Sequence, residues 1–134
     1  MDKLTGSCLC GGIRYEIDGS LESFYLCHCH RCRKDTGSAH AANLFSTTAT
    51  LNWLIGEGQI TTYTIPSTRH SRSFCRVCGS AVPGAQMDGK LLVVPAGSLD
   101  SEVPIKPDAH LFISEKANWD SHLEGGPAFD TLPS

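Results

Sequence analysis

The chain has 134 residues, of which 40% are hydrophobic and 19% charged, and a formal net charge of −3. These values predict a single globular domain and exclude a disordered chain or an integral membrane protein. Because 14 acidic residues outnumber 11 basic ones, no overall positive field favours nucleic acid, and we expect no nucleic-acid partner.

Short segments with alternating or β-branched residues recur between glycine, proline and serine, and no segment keeps a 3.6-residue apolar period. The pattern predicts an all-β domain of short antiparallel strands. Residues 13–17 form the first predicted strand and residues 24–27 the second. Asp18, Gly19 and Ser20 are typical turn residues, so we predict a hairpin over 12–27. That hairpin would bring Cys10 and Cys27 to the same end of one sheet.

The rest of the chain also consists mainly of short predicted strands separated by turns. One short helical turn is predicted after Cys32, and the glycine- and proline-containing tail over 125–134 is expected to be irregular. We therefore expect the folded domain to span 4–124. The further predicted strands are 39–45, 49–54, 59–65, 69–74, 90–94 and 109–113.

The cellular compartment follows from two features of the sequence. No apolar run approaches a membrane span, and residues 1–7 lack the basic and apolar regions of a secretory signal. We therefore expect no membrane association and a cytoplasmic location, where thiols stay reduced. Seven cysteines in that setting favour metal ligation or redox chemistry over disulfides.

Four cysteines form two short motifs that can share one ion. Cys75 and Cys78 form a C-x-x-C knuckle that supplies half of a tetrahedral site, and Gly79 relieves its tight turn. Cys8 and Cys10 can supply the other half if Gly11 and Gly12 let that segment turn. Four thiolates fill every position of a structural zinc site. The alternatives are buried cysteines without metal or a redox dithiol.

Three more cysteines, Cys27, Cys29 and Cys32, lie within six residues. Three thiolates leave one coordination position of zinc for water or a substrate thiol, as in catalytic zinc sites. These cysteines are therefore the candidate catalytic residues. The alternatives are a closing fourth ligand, for which His40 and His110 are the candidates, or a site that works without metal.

Several polar residues flank these motifs. Asp35, His30 and His40 are candidate proton shuttles near the three-cysteine motif. Basic residues near the two motifs can hold the carboxylates of a ligand, or simply balance the negative thiolate clusters. They are Arg31, Arg33 and Lys34 at the first motif and Arg69, Arg72 and Arg76 at the second.

The order C-x-C, C-x-C-x-x-C, C-x-x-C resembles the glutathione-dependent formaldehyde-activating enzyme family, which includes centromere protein V. The resemblance extends beyond the cysteines and covers most of the chain from Gly6 to Trp119. It rests on GSCLCGGIRY at 6–15, CHCHRCRKDTGS at 27–38, RSFCRVCGS at 72–80, GSLD at 97–100, residues 107–110, Lys116 and Trp119.

The resemblance implies a β-tent fold with one structural and one catalytic-type zinc, divided between the cysteines in the same way. It also implies carbon–sulfur lyase activity on a small thiol such as glutathione, whose adduct with formaldehyde is S-hydroxymethylglutathione. Two hypotheses of other classes remain open at this point: a non-enzymatic zinc-stabilised binding module and a thiol-based sensor. The residues do not predict an oligomeric state.

Overall fold

The computed structural model describes residues 3–133, so Met1, Asp2 and Ser134 of the segments considered above lie outside the described residues. The described chain is mostly β, with one α-helix, α1 (His30–Thr36), and three short 3-10 turns at Glu57–Gln59, Ala96–Ser98 and Ile113–Glu115. This confirms the predicted fold class. The strands are β1 (Leu4–Ser7), β2 (Arg14–Asp18), β3 (Ser23–Cys27), β4 (Ala41–Ser46), β5 (Thr50–Ile55), β6 (Ile60–Thr64), β7 (Ser71–Cys75), β8 (Ala81–Val82), β9 (Gly84–Gln86), β10 (Leu91–Pro95) and β11 (Ala109–Leu111).

The strands form three sheets. One has the order β1-β2-β5, the second β11-β3-β4-β10-β9, and the third β6-β7-β8. The pairings between strands are antiparallel except that β11 runs parallel to β3. Within residues 3–133 no helix is long and apolar enough to cross a membrane.

The predicted hairpin over 12–27 is wrong. β2 pairs with β1 and β5, whereas β3 pairs with β4 and β11, so the two strands belong to different sheets. The segment between them is a corner, because Leu21 is buried in the core and cannot sit in an exposed turn. Ser46 closes the corner by donating its hydroxyl proton to the carbonyl of Ser20 at 2.7 Å.

Each of the eight predicted strand segments overlaps an observed strand, whereas β1, β8 and β9 were not predicted. These three have two to four residues each, which is too short for a two-residue alternation to be recognised. The predicted helical turn after Cys32 begins earlier, at His30, because Cys29 provides the N-cap. The helix ends at Gly37, whose φ of 65° is the left-handed conformation that suits glycine.

Two apolar clusters stabilise the fold. The larger one joins the first two sheets and contains Tyr15, Ile17, Leu21, Phe24, Leu44, Leu92 and Val94. The smaller one joins Ile13 and Val82 to two cysteines, Cys8 and Cys75. Cysteines are therefore part of the second core, so the packing there depends on the state of their sulfurs.

Gly56 allows the end of β5 to approach the turn before β2. It has a φ of +81°, and a Cβ added there would lie 2.0 Å from the carbonyl oxygen of Gly12. We expect Gly56→Ala to lower the free energy of unfolding by roughly 2–4 kcal/mol, since both the backbone conformation and the contact are unfavourable for alanine. Urea denaturation measures the difference, and Gly58→Ala is the matched control because no atom lies within 4 Å of its added Cβ. Equal midpoints for the two variants would contradict this prediction.

Tyr15 makes the stability sensitive to alkaline pH. The Ser98 hydroxyl donates to the Pro95 carbonyl at 2.7 Å, so the Tyr15 hydroxyl donates to Ser98 Oγ at 2.5 Å. Burial raises the pKa of Tyr15 to about 12, above the value of roughly 10 in an unfolded chain. The folded state therefore binds more protons between these values, and its stability falls as the pH rises through that window.

The prediction is tested by measuring the free energy of unfolding of the wild type and Tyr15→Phe from pH 9 to pH 11. Phenylalanine removes the ionisable group, so the stability of Tyr15→Phe should fall less steeply over this window. The comparison cancels the contributions of cysteines and lysines, which both proteins share. Parallel curves would show that Tyr15 does not produce the effect.

Candidate metal centres

The first group of sulfurs belongs to Cys8, Cys10, Cys75 and Cys78, whose Sγ atoms all lie within 4.8 Å of one another. Cys8 and Cys10 come from the turn between β1 and β2, which Gly11 closes with a φ of 77°. Cys75 ends β7, and the knuckle after it turns at Gly79, with a φ of 79°. The turns that the sequence required at both motifs are therefore present.

The spacing of these sulfurs fits zinc. A Zn–S distance of about 2.3 Å in a tetrahedron requires sulfurs about 3.8 Å apart. Cys8 and Cys10 have a separation of 3.6 Å, and Cys10 and Cys75 one of 3.9 Å. A disulfide would need about 2.05 Å, and all seven cysteines are free thiols. The four residues can hold a metal ion with every position filled.

Hydrogen bonds reach several sulfurs of this group, and the thiols differ in pKa. The Gly12 backbone lowers the pKa of Cys10, but the contact with Cys8 and the other neighbouring thiols prevails and raises it to about 11. The backbone N–H of Ile13 donates to Cys8 Sγ at 3.3 Å, and that of Val77 donates to Cys75 Sγ at 3.4 Å. Hydrogen bonding to Ser80, first through its side chain and then through its backbone, lowers the pKa of Cys78 to about 5. Thiolate is the form of cysteine that binds metal.

The second group consists of Cys27, Cys29 and Cys32, whose sulfurs also lie within 4.8 Å of one another. Cys27 ends β3, Cys29 is the N-cap of α1, and Cys32 lies in its first turn, with its N–H donating to Cys29 Sγ at 3.3 Å. The start of a helix thus folds the motif around one point. Among residues 3–133, no fourth His, Cys, Asp or Glu ligand atom lies within 4.8 Å of all three sulfurs.

The three thiols differ in their environment. Burial raises the pKa of Cys32 strongly and also raises that of Cys27. Burial would raise the pKa of Cys29 as well, but hydrogen bonds from Cys32 and its other neighbours hold it below the usual value. Cys29 is therefore the sulfur in this group that most readily carries negative charge in the metal-free protein.

The histidines near this motif form a separate cluster. His28 is 2% exposed, and its Nε2 lies 2.9 Å from Nδ1 of His110. The ring of His40 packs edge-on against that of His28 at 5.0 Å between centroids. His40 and His110 thus contact His28 and do not complete the three-sulfur group, which argues against the alternative of a closing fourth ligand.

This cluster ties the three-cysteine motif to a distant segment. The backbone N–H of His28 donates to the Leu111 carbonyl at 2.9 Å, and His28 Nδ1 lies 3.4 Å from Asp120 Oδ2 without forming a hydrogen bond. Burial lowers the pKa of His28, with smaller contributions from His40 and His110. His28 lies between Cys27 and Cys29 in the sequence, so its backbone hydrogen bond to Leu111 also fixes these two ligand candidates. Its neutral ring adds no charge beside them.

A cavity of about 440 Å³ opens beside the second group. Cys27 and Cys32 line it together with residues of β4, β7, β9 and β10, so it lies between the second and third sheets. A neighbouring groove of about 700 Å³ contains Arg31, Lys34 and Arg72. These volumes lie within the range of small-molecule sites.

The structure separates the flanking basic residues by environment. Arg31 and Lys34 line the groove and form no ion pair with a described acidic residue. Arg72 donates to the Gly79 carbonyl at 3.1 Å and lies over the Phe74 ring at 5.2 Å. Arg76 donates to Gln59 at 2.8 Å, which leaves it as a structural residue near the knuckle.

His70 is a site residue that the sequence analysis missed. Its Nε2 lies 2.6 Å from Asp35 Oδ2, and both residues line the cavity and the groove. Asp35 was a candidate proton shuttle, but its partner is 35 residues away, in a loop without a motif. Only the tertiary fold brings the two side chains together. His30, by contrast, lines only the groove.

Comparison with known proteins adds two findings. The sequence model of the glutathione-dependent formaldehyde-activating enzyme family matches residues 3–115. A crystal structure of a Rhodobacter sphaeroides protein is similar over 79% of this chain and 98% of that chain, with 20% identity and a TM-score of 0.62. At that identity, the likeness supports the fold alone.

Proposed function

This chain belongs to the glutathione-dependent formaldehyde-activating enzyme family, and from that premise we propose that it is a zinc-dependent carbon–sulfur lyase-type enzyme. Its substrate would be a glutathione-like thiol adduct such as S-hydroxymethylglutathione. In this proposal the first cysteine group holds a structural zinc. Cys27, Cys29 and Cys32 hold the catalytic zinc, and the protein works in the cytoplasm, where its thiols stay reduced.

The observation that carries the proposal is the incomplete donor set beside a cavity. Three sulfurs converge on one point without a fourth described donor, and two of them line a space of about 440 Å³. A site that only stabilised the fold would have all four positions filled by the protein, as the first group does. The open position and the cavity together provide a place for a thiol.

The chemistry assigned to the site is the addition of a thiol to an aldehyde and its reversal. Zinc, when bound, supplies Lewis acidity that favours a thiolate and polarises a carbonyl oxygen. The thiol sulfur forms a bond to the carbonyl carbon, the π electrons move to oxygen, and that oxygen takes up a proton. The cavity walls position the two reactants, while Arg31 and Lys34 in the adjoining groove offer positive charge to the carboxylates of glutathione.

The proposal is tested with ¹³C-labelled formaldehyde and glutathione, using exchange NMR to measure how fast S-hydroxymethylglutathione forms and breaks down. We expect the zinc-loaded protein to accelerate this exchange above the rate in buffer with an equal concentration of free zinc. A rate equal to that of buffer would overturn the enzyme assignment. The binding-module hypothesis would then be the better explanation of the two cysteine groups.

A further inference from the structure

We propose that His70, oriented by Asp35, is the proton-transfer group of the cavity: it takes the thiol proton and returns it to the adduct oxygen. This inference rests on the proposed function and names a catalytic residue for it. Zinc coordination can lower the pKa of a thiol, but the proton must still leave the site and a proton must reach the new hydroxyl group.

The pair is placed where such a group is needed. Asp35 lies three residues after Cys32 on α1, so the helix that presents a sulfur to the cavity also presents the carboxylate there. His70 comes from the loop before β7 and lines the same cavity. Two separate segments of the cavity lining therefore meet at the Asp35–His70 hydrogen bond.

The backbone of His70 is held in place. Its N–H donates to Thr68 Oγ1 at 3.1 Å, and its carbonyl accepts the N–H of Ile65 at 3.0 Å. These bonds close the loop between β6 and β7. The imidazole is thus fixed from the backbone side as well as by Asp35, which is the arrangement that a proton-transfer group requires.

The hydrogen bond selects the useful tautomer. With Nε2 at 2.6 Å from the Asp35 carboxylate, the ring carries its proton on Nε2 and exposes the lone pair of Nδ1. No described residue forms a hydrogen bond with Nδ1. That nitrogen is free to accept a proton from a ligand.

The surrounding charges explain the need for Asp35. It is the one acidic residue among those lining the cavity and the groove in the described chain. The groups that face the pair are His30, Arg31 and Lys34 from α1, Tyr63 from β6, Arg72 from β7, and the thiols of Cys27 and Cys32. Arg31, Lys34 and Arg72 among them carry positive charge, and the Asp35 carboxylate is the negative group that the His70 ring contacts.

The pair is accessible from the cavity. The side chains of His70 and Asp35 line it and are 20% and 25% exposed, so a ligand can reach the ring. The proton balance of the proposed step also closes. Nδ1 accepts the S–H proton as the C–S bond forms, the carbonyl π pair moves to oxygen, and the imidazolium returns the proton there, so no oxidant or other co-reactant is required.

The test compares His70→Ala, Asp35→Asn and Thr64→Ala, the last being an exposed position of β6 that lines neither the cavity nor the groove. We expect the exchange rate to fall roughly 10²–10⁴-fold in His70→Ala, to recover partly with added imidazole, and to stay unchanged in Thr64→Ala. Glutathione affinity and zinc content should be the same in all proteins. If His70→Ala is as fast as an active wild type, this proposal is wrong while the proposed function stands; an inactive wild type instead overturns the proposed function.

A second readout does not depend on turnover. Ring ¹⁵N chemical shifts of His70 should show the Nε2–H tautomer in the wild type, a tautomer mixture in Asp35→Asn, and a change at Nδ1 when glutathione is added. Identical spectra with and without glutathione would mean that Nδ1 does not contact the thiol ligand. That result would overturn the proposal even if the variants lose activity.

Discussion

Replacing Cys75 with serine is expected to destabilise the fold severely and to release the zinc ion assigned to the first cysteine group. Cys75 is completely buried and packs with Cys8, Ile13 and Val82 in the smaller core. The binding free energy of a structural zinc is folding free energy, and losing a ligand removes much of it. We expect a loss of more than about 3 kcal/mol out of a total stability of about 5–15 kcal/mol.

Thermal unfolding followed by circular dichroism, together with zinc analysis, measures this effect. Leu9→Ala is the matched control, because Leu9 lies between two of the ligands but is 86% exposed. Its melting temperature and zinc content should equal those of the wild type. If Cys75→Ser had the same melting temperature as the wild type, the four sulfurs would contribute nothing to the stability of the fold.

Replacing Cys29 with serine is expected to leave the fold intact and to abolish the exchange activity, whereas Cys75→Ser is expected to lose the fold. Cys29 is the N-cap of α1 and accepts the Cys32 N–H at 3.3 Å. Serine is a preferred N-cap residue, so the helix keeps its first hydrogen bond. The thiolate is lost, however, and two sulfurs remain where three converged. We expect zinc to fall from near two ions per chain to near one and the exchange rate to fall to that of buffer.

Zinc analysis, circular dichroism and the exchange measurement are made on the same preparations of Cys29→Ser. The control is Ser38→Ala, an exposed position just beyond the helix, which should match the wild type in all three. Retention of two zinc ions with full turnover would remove the catalytic role from the three-cysteine group. Loss of the fold would show instead that this group is a second structural site.

The two different profiles follow from where the cysteines lie. The first group joins the turn after β1 to the end of β7, two segments more than 60 residues apart, and its buried members form part of a core. The second group lies within six residues at the start of one helix, beside a cavity. A metal that joins distant segments stabilises the chain, whereas one held by a local motif beside open space is available to a ligand.

The division of the cysteines and the mostly β fold were predictable from the sequence, because both are encoded locally. Alternation between apolar and polar residues indicates a strand of about five residues, whichever strands it pairs with. The one or two residues between neighbouring cysteines set how closely their sulfurs can approach. The same local reasoning predicted the glycine turns at Gly11 and Gly79, both of which have positive φ.

The tertiary structure decided which residues that are distant in sequence contact one another. The residues between β2 and β3 are compatible with either a hairpin or a corner, and burial of Leu21 between the sheets selects the corner. His40 and His110 are possible fourth ligands by sequence, yet packing places both against His28. The role proposed for His70 depends on its hydrogen bond to Asp35, which lies 35 residues away in the chain. The sequence by itself thus determined the donor sets and the strands, which depend on short spacings. Sheet pairing, the cavity and the proton-transfer pair depend on contacts between distant residues, which only the packing of the whole chain establishes.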